Sequence, residues 1–250
     1  MRNVRYLLGL LALIAVAGPS IAQVDSASQI VVDDPRPVAS AAEKLETLYG
    51  WVITYEDPEW LVPTETADVT DQVRRDIGPG NQVPRVLIPR GGLLTFPVPE
   101  VKAIDVADRA SLVEQLFAAN VSAGYPGKFQ IFESDGLLHI VPMQDPEVSD
   151  GSVPLLDIKV SIPNRDWTGL DLLHEICQQL GESAGRRVIM GAIPVHTLAH
   201  YHAPYSVLGI PSRQVLSSLL SRLGSGYSWQ LFFDPGMRTY TLNIHWVRSN

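Results

Sequence analysis

The sequence predicts an α+β protein of two tandem β-α-β-β-α-β-β modules, whose small mixed sheets each pack against two helices. Three observations carry this expectation. Helical and strand periodicities alternate along the chain. The segment "RASLVEQLFAANVSAGY" (109–125) aligns with "PSRQVLSSLLSRLGSGY" (211–227) at an offset of 102 residues. Each of these then enters a hairpin pattern, around Asp135-Gly136 in one and Asp234-Pro235-Gly236 in the other.

The chain opens "MRNVRYLLGLLALIAVAGPSIAQ", with Arg2 and Arg5 ahead of an apolar run over 7–17. Gly18 and Pro19 end the run, and Ser20-Ile21-Ala22 places small residues at −3 and −1. This is the layout of a cleaved secretory signal over 1–22, with the cut after Ala22. The run is about half the ~20 residues a bilayer-spanning helix needs. The mature chain is therefore expected to be periplasmic or secreted, without an integral membrane segment.

The first module is expected over 23–150. "QIVVDD" reads as its opening strand. "VASAAEKLETLYGWVITYE" puts Val38, Ala41, Leu45, Leu48 and Tyr49 on one helical face, then turns to strand chemistry after Gly50. An acidic insertion over 57–84 follows, too long and polar for an ordinary connection and expected as a mobile surface loop. The next helix carries Val113, Phe117 and Val121 on one face, with Ser111-x-x-Glu114 as a capping box. Phe129, Ile131, Leu138 and Ile140 then share one hairpin environment.

"MQDPEVSDGSVP" marks a boundary near 150, and the second module is expected over 151–250. "LLDIKVSIP" (155–163) supplies a strand. The helix after it buries Leu170, Leu173, Ile176, Cys177 and Leu180 and is expected to stop near Gly181. Arg187-Val188-Ile189-Met190 and then 196–209 read as strands. The last helix, N-capped by Ser212, aligns Val215, Leu219 and Leu223. Trp229, Leu231, Leu242 and Ile244 share the closing hairpin's inner environment.

Composition excludes whole classes of function. Apolar residues make up 46% and charged residues 18%, a globular balance. Residues 23–150 hold 9 Lys/Arg against 21 Asp/Glu, and 151–250 hold 8 against 6. The acidic first part repels phosphate, so nucleic acid and anionic membrane surfaces are not expected partners. Cys177 stands alone, so no intrachain disulfide forms, and its apolar helical context marks it as a core residue.

Residues 160–247, from "VSIPNRDWTGLDLLHEICQQLGESAGRRVIMG" through "VLSSLLSRLGSGYSWQL", resemble the short N-terminal (STN) domain of secretins and TonB-dependent receptors. The first half is a looser copy carrying an insertion. The resemblance implies a periplasmic docking module, and hence an exported, non-enzymatic envelope interaction or adaptor protein with an envelope protein as partner. "YGWVITYEDPEW" and "RVLIPRGG" are also similar to segments of small exported bacterial proteins, which implies no activity.

Catalytic patterns compete with this reading. His196, His200 and His202 in "HTLAHYH" offer an alternative, a zinc-dependent hydrolase with three imidazole ligands and a water. Pro194 and Pro204 leave little room for a helix there, so the segment is expected as a strand. Residues four apart on a strand lie roughly 13 Å from each other, too far to share an ion. Glu56, Asp57 and Glu59 imitate a glycosidase or calcium pair but are expected in a solvated acidic turn. His139 and His245 are expected to be structural, in hairpin strands. "GSGYS" lacks the nucleophile-elbow spacing, and "RGG" at 90–92 reads as a turn. Trp51, Trp60, Tyr201 and Tyr205 are candidates for apolar contact near sheet edges, and carbohydrate binding through exposed Trp and Tyr is a further alternative. No catalytic, cofactor-binding or metal residue is assigned, and no cofactor is expected.

Overall fold

The computed structural model describes residues 28–78, 84–100, 106–143 and 153–248. The expected signal segment over 1–22 and the boundary near 150 lie outside the described residues. The fold is α+β with small mixed sheets. The first half runs β1 (Ser28–Asp34), α1 (Pro37–Tyr49), β2 (Ile53–Glu56), β3 (Thr66–Asp68), α2 (Thr70–Ile77), β4 (Leu87–Pro89), β5 (Gly92–Val98), α3 (Val106–Ser122), β6 (Phe129–Ser134) and β7 (Leu137–Pro142). The second half runs β8 (Lys159–Thr168), α4 (Gly169–Ala184), β9 (Arg187–Met190), α5 (Val195–His200), β10 (His202–Pro211), α6 (Ser212–Leu223), β11 (Tyr227–Asp234) and β12 (Thr239–Trp246).

Local chemistry accounts for the element ends. Pro37 begins α1 with its φ already helical, and Gly50 closes it in the left-handed region at φ 71°. Thr168 caps α4 by accepting from the Asp171 amide at 2.9 Å. Gly181 does not end α4 as expected. The helix continues to Ala184 and closes on Gly185 at φ 59°. A Cβ at Gly181 would stand 2.9 Å from the Arg186 carbonyl, so this glycine serves close packing of the returning chain. Ser111 lies inside α3, which starts at Val106, so the expected capping box is not at a helix start. Ser212 is the first residue of α6, not its cap, and its Oγ donates to the Ile158 carbonyl at 2.8 Å.

Each half forms one three-stranded set and one two-stranded sheet, and the first half adds a second small pair, β3 with β4. β1 pairs β5 and β8 pairs β10, both antiparallel. In β1, Ile30 and Val32 point inward, as do Leu94, Phe96 and Val98 in β5, the alternation of a half-buried sheet. β6 is antiparallel to β7, which is parallel to β2; likewise β11 is antiparallel to β12, which is parallel to β9. The three-stranded sets then join through a parallel β2·β11 contact into one sheet of order β6-β7-β2-β11-β12-β9.

The register shows how the halves meet. Tyr55 aligns with both Ile140 and Gln230, while Glu56 aligns with Leu231. Aligned residues share a face, so the apolar side of β2 and β7 lies on the face where β11 is polar, and the reverse. The two halves thus turn their apolar layers to opposite faces of a common sheet. The helix of each half reaches over the seam onto the polar side of the other. Glu43 of α1 accepts from Gln230 Nε2 at 2.8 Å, and Glu46 meets His245 Nε2 at 2.7 Å. From the opposite face, Arg213 of α6 binds Glu56 Oε2 at 2.5 Å and Asp157 Oδ1 at 3.0 Å.

The core follows this arrangement. Leu45, Leu116 and Val113 are buried in the first half, and Leu173, Leu180, Leu219 and Trp229 in the second. Phe129, Leu138 and Ile140 are buried as expected, and Ile131 is half-buried. Leu48 and Val121 are exposed, against expectation, in the last turns of α1 and α3. The insertion is not an irregular loop. It holds a 3-10 turn over Pro63–Glu65, α2, and β3, which pairs antiparallel with β4 just beyond it.

Breaking a buried ion pair strands the remaining charge at a cost of about 3–5 kcal/mol. Arg213→Ala is expected to lower unfolding free energy in urea by that amount, leaving Glu56 at 0% exposure without its cation. A loss below about 1 kcal/mol, typical of exposed pairs, would contradict the buried seam.

Candidate partner-binding groove

The sequence-derived candidates are spread over several separate places in the fold. His196 and His200 are on α5, not on a strand. The segment from Val195 fits a short helix between the two prolines, with Pro194 preceding it. One helical turn brings their rings into a stack with centroids 4.2 Å apart, and His200 Nδ1 meets the His196 carbonyl at 2.8 Å. His202 opens β10 and leaves that pair. Among the described residues, no three His, Cys, Asp or Glu side chains are grouped to hold a metal ion. Cys177 is buried, which pushes its thiol up to about 12.

Glu56, Asp57 and Glu59 are not in a solvated turn. Glu56 and Asp57 are 0% and 1% exposed and form the seam between the halves. Asp57 accepts from Arg36 Nε at 2.6 Å, from the Tyr55 hydroxyl at 2.7 Å and from the Phe233 amide at 2.9 Å. Arg36 Nη2 also donates to the Phe233 carbonyl at 2.8 Å. Glu59 holds Arg186 through two contacts of 3.0 Å. Burial raises the Glu56 and Asp57 carboxyls above their ordinary range, with the paired guanidiniums pulling the other way. Every carboxylate here is tied to a named cation, an arrangement suited to joining strands.

His139 is buried between two hydroxyls. Thr54 Oγ1 lies 2.7 Å from its Nδ1, Ser134 Oγ lies 2.9 Å from its Nε2, and Trp229 flanks the ring at 5.4 Å. A nucleophile would need a base that stays competent near neutrality. Burial, with help from the Arg213 charge, lowers this imidazole to about 4, so it stays neutral between the two hydroxyls near pH 7. Trp51 and Trp60 are also buried, at 6% and 4% exposure, and are not surface contacts. Trp51 stacks on Tyr49 at 4.5 Å. Gly127, at φ 90°, leaves room for Trp60, whose Cη2 would meet a Cβ there at 2.8 Å.

Tyr205 is different. It lines an open groove of about 430 Å³ between β10 and α6. The wall from β10 is Pro204, Tyr205, Ser206 and Val207, with Ile210 beyond; the wall from α6 is Gln214, Ser218 and Arg222. The α6 residues are spaced by four and so share one helical face. The four β10 residues are consecutive. Alternate side chains of a strand point to opposite faces, so a consecutive wall means that the strand presents its backbone edge to the groove. Among the described residues β10 pairs only with β8, and its register shifts twice, between Tyr205 and Val207 and between Val207 and Ile210. Such irregularities break regular pairing and re-aim side chains. The second shift spans Leu208, 86% exposed, and Gly209 at φ 65°. Arg222 lies 5.2 Å over the Tyr205 ring at the groove wall.

Sequence reasoning named Tyr205 and missed the rest of the groove, since Gln214, Ser218 and Arg222 read only as the polar side of an amphipathic helix. Among the described residues, no helix is long and apolar enough to cross a membrane. No protein-family model matches the chain, and neither a curated protein nor a solved structure is significantly similar to it.

The buried imidazole makes stability depend on pH. Its folded-state pKa lies below the ordinary 6.5, so the unfolded chain takes up the proton first as pH falls. Stability attributable to His139 is complete above pH 6.5 and declines as pH drops from 6.5 to about 4, by up to about 3 kcal/mol at 1.36 kcal/mol per pH unit. Urea titrations across that window should show wild type losing stability relative to His139→Gln. Parallel curves would refute the assignment.

Proposed function

We propose that the protein is an exported, non-enzymatic interaction or adaptor protein of the cell envelope, built from STN-like docking units, which receives an extended segment of a partner protein in the β10–α6 groove. The observation that carries the reading is the consecutive wall 204–207 along an edge strand. A peptide laid beside Tyr205–Val207 gains main-chain hydrogen bonds there, Pro204 having no N–H to give, and side-chain selectivity from the groove walls. Val207 and Ile210 offer apolar contact, Gln214 and Ser218 offer hydrogen bonds, and Arg222 favours an acidic group on the ligand. Leu208 stands exposed beside the groove as an apolar anchor point.

The secretory signal pattern over 1–22 and the resemblance of 160–247 to STN domains support the envelope setting. The elements follow the order that resemblance leads one to expect, strand-helix-strand then strand-helix-hairpin, with α5 added in the second half.

The test uses the mature protein as bait in cell-envelope crosslinking, with Ser218→Trp as a groove-filling variant. Wild type is expected to recover a partner whose crosslinks map to 204–210 or α6, and the variant, with unchanged circular dichroism and melting temperature, to lose it at least tenfold. Equal recovery by both, or crosslinks mapping elsewhere, would overturn the groove assignment.

A further inference from the structure

The sheet that joins the two halves ends in the same two kinds of edge that it joins. Within the chain, β2 of the first half pairs with β11 of the second. Through the ladders, Ile131 opposite Ile140 corresponds to Leu231 opposite Leu242, which makes β6 the counterpart of β11. The correspondence reaches the sequence: Phe129-Gln130-Ile131-Phe132 matches Trp229-Gln230-Leu231-Phe232. Tyr55 beside Ile140 corresponds to Met190 beside Leu242, which makes β9 the counterpart of β2. The outermost strands of the sheet are β6 and β9. Among the described residues, the contact that closes inside the chain is therefore left open once at each end.

Strand directions and faces define how the contact repeats. From the first half to the second, strand direction reverses and the apolar layer changes face, while the order of strands advances along the sheet. That is a half-turn about the long direction of the sheet combined with a shift. A second such step restores both direction and face, so β9 of one chain would run parallel to β6 of the next, as β2 does to β11. We infer that the chain associates head to tail with further copies of itself by parallel β9·β6 pairing, extending the sheet. This is a heterologous contact, which builds an open array or a ring and not a two-fold dimer.

The side chains differ across the two edges in the way this requires. Gln230 is 5% exposed and Phe232 is half-buried beside Tyr55, at 6.1 Å, and Arg36, at 4.8 Å. Their counterparts Gln130 and Phe132 are exposed, Phe132 by 41%. Neither β6 nor β9 contains a proline to block pairing. The positions corresponding to Glu56 and Asp57 are Gly191 and Ala192, so the intermolecular contact lacks the buried ion pairs of the internal one. It is accordingly weaker and concentration-dependent.

Cys177 is the chain's one cysteine and is buried, so introduced thiols report cleanly. Full-length mature protein carrying Gln130→Cys is mixed with protein carrying Met190→Cys under mild oxidation. These positions correspond to the internal Gln230–Tyr55 pair. The mixture is expected to yield a disulfide-linked heterodimer, with neither variant linking to itself, and the doubly substituted chain a ladder of higher species. Sedimentation of the untouched protein should show concentration-dependent association that Gln130→Lys, at an exposed position of β6, abolishes while melting temperature is kept. Self-linking of Gln130→Cys, or a monomer at every concentration with no linkage in the mixture, overturns the inference.

Discussion

Everything in this fold depends on the short parallel contact between β2 and β11. Only Tyr55 with Gln230 and Glu56 with Leu231 align across it, so backbone pairing alone is a small fraction of the sheet. What secures it is charge held out of water. Asp57 is bound by Arg36, Tyr55 and the Phe233 amide, and Glu56 by Arg213 and the Leu156 amide. Ser228 Oγ adds a bond of 2.6 Å to the Ile53 carbonyl. Desolvating two carboxylates is costly, and their partners offset that cost only in one geometry. A slip of one residue would turn Glu56 toward the α1 face and leave Arg213 opposite Tyr55. The ion pairs act on register.

The seam also explains why the halves pack with opposite faces. Each three-stranded set has one apolar side, covered by its own helices. Placing both apolar sides on the same face would bring the two helical layers against each other at the junction. Alternating them lets α1 and α6 each extend across the seam onto polar side chains of the other half, which is where Gln230, His245 and Glu56 are found. The β10–α6 groove lies apart from this seam, on the two-stranded sheet. Among the described residues no strand pairs with its outer edge.

Local pattern made much of this legible. Alternation in "QIVVDD" and "GLLTFPV", the helical spacing of Leu173, Ile176 and Leu180, and the turns at Asp135 and Asp234 all correspond to observed elements. The errors are local effects overruled by neighbours. Gly181 reads as a helix stop, yet the chain returning at Arg186 packs against it. "HTLAHYH" reads as a strand between prolines, yet Val195–His200 closes a helical turn before β10 begins. "YEDPEW" reads as a wet acidic turn because its cations, Arg36, Arg186 and Arg213, lie far away in sequence. One signal was present: "WVITYE" sets a glutamate at the end of a largely apolar strand pattern, a place where a carboxylate needs a partner if it is buried.

The sequence by itself determined the α+β class, the order of elements and the inward faces of most of them, because periodicity and turn chemistry act over a few residues. Only the tertiary structure decided that two small sheets become one, that three acidic side chains are structural, and that the polar side of α6 lines a groove with the edge of β10. The joined sheet rests on contacts between residues 100 or more positions apart, such as Leu156 with Glu56 and Arg36 with Phe233, and the groove on how β10 packs beside α6, neither of which a local pattern encodes.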